Sequence, residues 1–158
     1  MWRMAETHLE VSETIAASAD ALYDMVADLT RMGSWSPENT GGRWLGGASG
    51  PAVGARFRGN NKSSWRRWST TVEVTDATPG KRFAFHVTYT GVPIADWSYE
   101  FAESDGKTTV TEIWDDRRPG WMDKLSGVVM GVPDRGAHNR RNMEATLRTL
   151  KSVAESGA

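Results

Sequence analysis

The chain has 158 residues, enough for one domain with a core that needs no staples. Hydrophobic residues make up 39%, charged residues 25%, and the formal net charge is -1, which leaves no electrostatic case for a nucleic-acid or anionic-membrane partner. Cysteine is absent, so disulfides, thiolate nucleophiles and zinc–thiolate sites are excluded.

The N-terminal MWRMAETHLEV has no apolar core of the kind a secretory signal needs. No stretch approaches the run of about 18 apolar residues that a membrane span requires. A cytoplasmic location is the expectation, and Asn61-Lys62-Ser63 reads as a chance match to a glycosylation sequon. Tryptophan is abundant: eight, against four Phe and three Tyr. In a small domain this implies an aromatic core or a cavity lined by rings.

From His8 to Ala17, Leu9, Val11 and Ile15 alternate with polar residues, which predicts a strand. Ser18 is a fair N-cap for a helix with Leu22, Met25, Val26 and Leu29 at helical spacing. Thr30 to Trp35 reads as a second short helical turn, broken by Gly33. WSPENTGGRW follows, a polar loop framed by Trp35 and Trp44. GGASGPAVG is turn chemistry between two short strand candidates, near Arg43–Leu45 and Ala55–Phe57.

Four clearer strands come next. Period-2 alternation aligns Trp68, Thr70, Val72 and Val74; then Phe83, Phe85, Val87 and Tyr89; then Trp97, Tyr99 and Phe101; then Val110, Glu112 and Trp114. DATPGK and ESDGK read as hairpin turns. Successive strands without intervening helices imply an antiparallel, curved sheet with one covered face. The tail predicts a helix from about 134 to 155 whose stripe of Asn139, Met143, Leu147, Leu150 and Ala154 faces the sheet. Arg141, Glu144, Arg148 and Lys151 point away, so helix and sheet can bury each other.

This order of elements resembles the α+β helix-grip fold of the START-like superfamily, and within it the actinobacterial polyketide cyclase/dehydrase-like branch. The resemblance is carried by TIAASADALYDMVADLTRMGSWSPE, VGARFRGNN, DWSYEF, TVTEIWDDR and GVPDRGAHNRRNMEATLRTLK, and it spans nearly the whole chain as a single domain, 1–158. It implies about seven strands wrapped around the C-terminal helix, with a deep cavity between them. It does not settle the chemistry, because this fold carries lipid binding, hormone binding and cyclisation alike. It also implies that the segment after the second helix runs along the cavity mouth. Trp35 and Trp44 are then wall or lid residues, or Trp35 plugs the helix-to-strand junction.

Glu112 is the sharpest candidate for chemistry. Alternation places its carboxylate on the covered face, where burial among aromatics raises its pKa and makes it a usable proton donor or acceptor. The alternatives are a bulge that turns it to water, or an ion pair with Arg58 or Arg117. Glu38, after the stiffening Pro37, is either an acid at the mouth or a solvated loop residue. One of Asn60 and Asn61, at the end of the FRGNN strand, points inward, and Asn139 faces it from the helix; Asn61 is the binding candidate. Tyr99 offers a phenol to an enolate oxygen, or is a satisfied core Tyr. His8, His86 and His138 are far apart; His86 falls on the open face and His138 about 140° from the helical stripe. No metal site and no cofactor are expected.

Two functions compete. One is a binding protein for a hydrophobic, partly aromatic, polyketide- or lipid-like small molecule. The other is a polyketide cyclase/dehydratase-type enzyme using acid–base chemistry in the same cavity, where Glu112, Tyr99 or an Asn shuttles a proton or polarises the substrate, with Glu112 and Tyr99 as the catalytic candidates. A chaperone-binding role ranks below both, and monomer and homodimer both remain open. The expected lining is Trp68, Phe85, Trp97, Tyr99 and Trp114 from the sheet, with Asn61 from the end of the FRGNN strand, Asn139, Met143 and Leu147 from the helix, and Trp35 and Glu38 at the mouth.

Overall fold

The computed structural model describes residues 7–121 and 135–156. Seven antiparallel strands form one sheet: β1 (His8–Ile15), β2 (Asn39–Trp44), β3 (Arg56–Ser63), β4 (Arg66–Thr78), β5 (Arg82–Tyr89), β6 (Val92–Ser104) and β7 (Lys107–Asp116). Their spatial order is β1-β7-β6-β5-β4-β3-β2. Between β1 and β2 the chain crosses from one sheet edge to the other through α1 (Ala19–Ala27) and a 3-10 helix (Leu29–Ser34). The C-terminal helix, α2, runs from Arg135 to Glu155.

Local chemistry sets these boundaries. Ser18 caps α1 by accepting from the Ala21 amide, as its position predicts. The inner face of α1 buries Leu22, Met25 and Val26, and Tyr23 meets Phe83 and Phe101 edge-on at 6.2 and 6.0 Å. Gly33 does not break the second helix; it lies inside it. A Cβ there would sit 3.1 Å from the Asn39 carbonyl oxygen, so the glycine lets the helix approach β2 closely.

The strand faces follow the alternation. Thr70, Val72, Val74, Phe83, Phe85, Val87, Tyr99, Phe101, Val110, Glu112 and Trp114 are all buried. From α2, Met143, Leu147 and Leu150 close over that face, while Arg141, Glu144 and Arg148 are exposed. Two strands are longer than the sequence suggests. β2 begins at Asn39 through a register shift between Asn39 and Gly41, with the Asn39 side chain accepting from the Gly41 amide. β3 continues past Asn60 and Asn61 to Ser63, so the asparagines are strand residues and the turn comes later, at Ser64.

Candidate functional site

Between the covered face of the sheet and α2 lies a cavity of about 260 Å³. Its walls come from β3 to β7, the 3-10 helix and α2. The sheet supplies Trp68, Phe85, Trp97, Tyr99, Glu112 and Trp114, and α2 supplies Asn139, Asn142, Met143 and Thr146.

Glu112 sits on β7 directly opposite Tyr99 on β6. Cross-strand register thus brings two polar side chains together inside an apolar face. The Tyr99 hydroxyl donates to Glu112 Oε2 at 2.8 Å. The other carboxyl oxygen, Oε1, is buried and has no hydrogen-bond partner among the described residues. Glu112 is 3% exposed, and desolvation pushes its pKa up to about 8, against the smaller opposing effect of the Tyr99 bond. Desolvation, and then the neighbouring carboxyl, push the Tyr99 phenol up as well.

Both structural alternatives for Glu112 are corrected by this geometry. No bulge turns it to water. Arg58 is exposed, and Arg117 donates to Asp96, which also holds His86, so neither arginine reaches the carboxyl. Strand alternation explains this: Asp96 falls between Ala95 and Trp97, on the opposite side of the sheet from Trp97 and Tyr99.

The more exposed part of the cavity carries a second polar group. Glu38 lines it and meets His138 Nε2 of α2 at 2.8 Å, with Asn142 Nδ2 3.3 Å from the same carboxyl oxygen. Asn61 also lines the cavity, donating to Thr70 Oγ1 at 3.2 Å, while Asn60 is exposed and accepts from Ser69. Arg118 contributes a guanidinium that pairs with Asp116 through two hydrogen bonds of 2.9 and 2.7 Å.

Three sequence expectations need correction. Trp35 does not line the cavity: it is buried in the core, with the Arg31 guanidinium 5.1 Å from its ring centroid. Leu147 is likewise core rather than lining: it is absent from the cavity walls and belongs to the buried cluster that includes Leu150 and Ile15. Trp44 is no lid; it stands edge-on to Phe57 at 5.3 Å. Conversely, His138 matters more than its angle from the helical stripe implies. The segment carrying Glu38 covers that flank of α2, which helix periodicity alone does not reveal. His138 and Asn142, four residues apart on one flank, were the available signal. Arg118 and Thr146 carried none. Among the described residues no three His, Asp or Glu side chains converge as metal ligands would.

The family described as polyketide cyclase/dehydrase and lipid transport matches residues 6–155. Among solved structures, the di-domain ARO/CYC StfQ from the steffimycin biosynthetic pathway superposes with a TM-score of 0.73 at 14% identity, over 95% of this chain. This chain spans about half of that one, 51%. The Polyketide_cyc-like protein Cgl2372 from Corynebacterium glutamicum is 29% identical with a TM-score of 0.59, covering 94% of this chain and 91% of its own. A START superfamily protein from Mycobacterium smegmatis has a TM-score of 0.67 at 16% identity, covering 96% and 99%. No curated protein matches the chain. The seven-stranded curved sheet gripping a C-terminal helix is the START-like helix-grip fold.

Proposed function

The chain belongs to the polyketide cyclase/dehydrase and lipid-transport family, and we propose that it binds a hydrophobic, partly aromatic, polyketide- or lipid-like small molecule between the sheet and α2. One observation carries this reading: the cavity is walled by Trp68, Phe85, Trp97 and Trp114, with few polar atoms among them. Flat rings on several walls favour a flat apolar ligand, and sparse polar groups fix its orientation. A cytoplasmic setting, which the cysteine-free sequence suits, is part of the same proposal. Among the described residues no helix is long and apolar enough to cross a membrane.

The test is a panel of polyketide-like, flavonoid and fatty-acid compounds, read by tryptophan fluorescence and thermal shift. A ligand at one hundred times its dissociation constant stabilises the native state by about 2.7 kcal/mol. A panel without any shift overturns the reading. Native mass spectrometry of the purified protein reports any co-purified molecule and the assembly mass together.

Catalysis in the same cavity is the second reading, favoured by Glu112. A carboxyl with a raised pKa that has, among the described residues, one oxygen uncommitted and no arginine partner is suited to acid–base work in a cyclisation or dehydration. Here Tyr99 and Glu112 are the catalytic pair, and the aromatic walls hold a chain in reactive conformation. Turnover of a poly-ketone chain that disappears in Glu112→Gln, with binding retained, supports catalysis. Binding without turnover in the wild type leaves the carrier reading alone.

A further inference from the structure

We infer that Glu112 serves as a neutral hydrogen-bond donor to an uncharged carbonyl oxygen of the ligand, with Tyr99 as its positioning residue, so that the deep end of the cavity selects ketone-, quinone- or lactone-type groups over carboxylates. This rests on the cavity-binding reading above and deepens it.

The argument starts from the direction of one hydrogen bond. Tyr99 can present its proton to Oε2 of Glu112, 2.8 Å away, which makes Oε2 the accepting oxygen. A proton on the carboxyl then resides on Oε1. That oxygen is buried and has no partner among the described residues, and the residue that carries it lines the cavity. A buried donor without an acceptor is costly, and a ligand oxygen that supplies one recovers the loss.

The surroundings keep the proton in place. Val110 and Trp114 flank Glu112 on its own strand, and Trp97 and Phe101 flank Tyr99 on the next, all on the same face. Burial raises the Glu112 pKa to about 8, which favours the protonated carboxyl below that pH. The cavity's other charged groups, Glu38 and Arg118, stand with His138 and Asp116 respectively. Among the described residues no cation pairs with Glu112, so a ligand carboxylate at Oε1 must shed its hydration without one, whereas a ketone oxygen accepts the same bond without a charge to desolvate. A buried carboxyl held neutral in order to donate is an established device for binding carbonyl and enolate oxygens.

Three naphthalenes of matched shape test the assignment: 2-acetylnaphthalene, 2-isopropenylnaphthalene and 2-naphthoate, titrated calorimetrically at pH 6.5. The wild type should bind the ketone about tenfold more tightly than the hydrocarbon, as one recovered hydrogen bond implies, and the carboxylate most weakly. Glu112→Gln should keep the ketone preference, because its amide carbonyl accepts from Tyr99 and its NH2 donates to the ligand. Glu112→Met should lose it. The wild-type preference should fade as pH rises through about 8, and Glu112→Gln, which lacks the carboxyl, is the control for the other ionisable groups that line the cavity, Glu38, Tyr89, Tyr99 and Arg118. Tyr99→Phe should move the fading to higher pH, because the Tyr99 bond holds the Glu112 pKa down.

Hydrocarbon and ketone binding equally, naphthoate binding best, or the preference vanishing in a folded Glu112→Gln each overturn the donor assignment and leave the cavity reading intact. Failure of all three compounds to bind overturns both.

Discussion

His138 Nε2 lies 2.8 Å from Glu38 Oε2, joining the start of α2 to a segment one hundred residues earlier in the chain. Their side chains are 23% and 19% exposed, so the contact is partly shielded from water. Asn142, one helical turn on from His138, lies within hydrogen-bond distance of the same oxygen. The contact fastens the segment between the 3-10 helix and β2 against the helix that roofs the cavity. Shielded, charge-assisted bonds are worth more than surface pairs, so His138→Ala and Glu38→Ala should each lower stability by about 1–2 kcal/mol. Urea melts of both single variants and the double variant check it. A coupling energy above about 0.5 kcal/mol is expected from partners in contact, and strict additivity sinks the claim.

Gly42 is a position where β2 tolerates no side chain. A Cβ there would overlap the Arg58 carbonyl oxygen and the ring of Phe57, which itself lines the cavity. Neither neighbour can yield easily: one is backbone of the paired strand, the other a fully buried ring. Gly42→Ala should cost about 2–3 kcal/mol, within the range of overpacked cores. Gly50→Ala, where nothing lies within 4 Å, should stay within about 0.5 kcal/mol of wild type. Equal melting temperatures for the two variants would show that β2 shifts outward at little cost.

The tryptophans divide into groups that a ligand distinguishes. Trp68, Trp97 and Trp114 border the cavity, whereas Trp65 and Trp121 are 78% and 63% exposed. A bound aromatic ligand should quench the first group and leave the second unchanged. Trp97→Phe should therefore shrink the quenching amplitude, and Trp65→Phe should leave it as it was. The reverse pattern in a titration places the ligand on the outer surface.

How much of this was legible depended on periodicity. In β4 to β7 a period of two sends alternate side chains to opposite faces, so Trp68, Phe85, Trp97, Tyr99, Glu112 and Trp114 could all be placed from sequence. The stripe of α2 was equally readable at Asn139 and Met143. The first part of β2 was hidden because Thr-Gly-Gly carries little strand propensity and its pairing contains a register shift. Trp35 was misplaced because a loop tryptophan can plug a core or line a cavity, and only three-dimensional packing decides. The Tyr99–Glu112 bond needs the register between two strands, which neither strand's own pattern contains. The Glu38–His138 contact was invisible for a similar reason: a loop's path over a helix is not periodic.

Glu112 also makes stability depend on pH in a direction opposite to that of most carboxylates. Its native pKa is raised from the ordinary 4.5 to about 8, chiefly by desolvation. Below about pH 4.5 the group is protonated in both folded and unfolded chains and contributes no pH dependence. Between about 4.5 and 8 the unfolded chain releases the proton while the native state retains it. The native state then binds more protons, so stability falls as pH rises across this window. Above about 8 both states are ionised and the loss levels off. At about 1.4 kcal/mol for each pH unit, the whole window is worth on the order of 4–5 kcal/mol. Asp76, Asp96 and Glu155, whose pKa values are lowered, act in the opposite sense, with stability lost as pH falls. They are common to wild type and variant, so a difference measurement removes them. Glu112→Gln keeps the Tyr99 bond and cannot titrate. Its stability relative to wild type should therefore climb steadily from pH 5 to pH 8, as read from urea melts at each pH. A difference that stays constant across that range would mean that Glu112 is ionised in the native protein at neutral pH, and the neutral-donor assignment would fall with it.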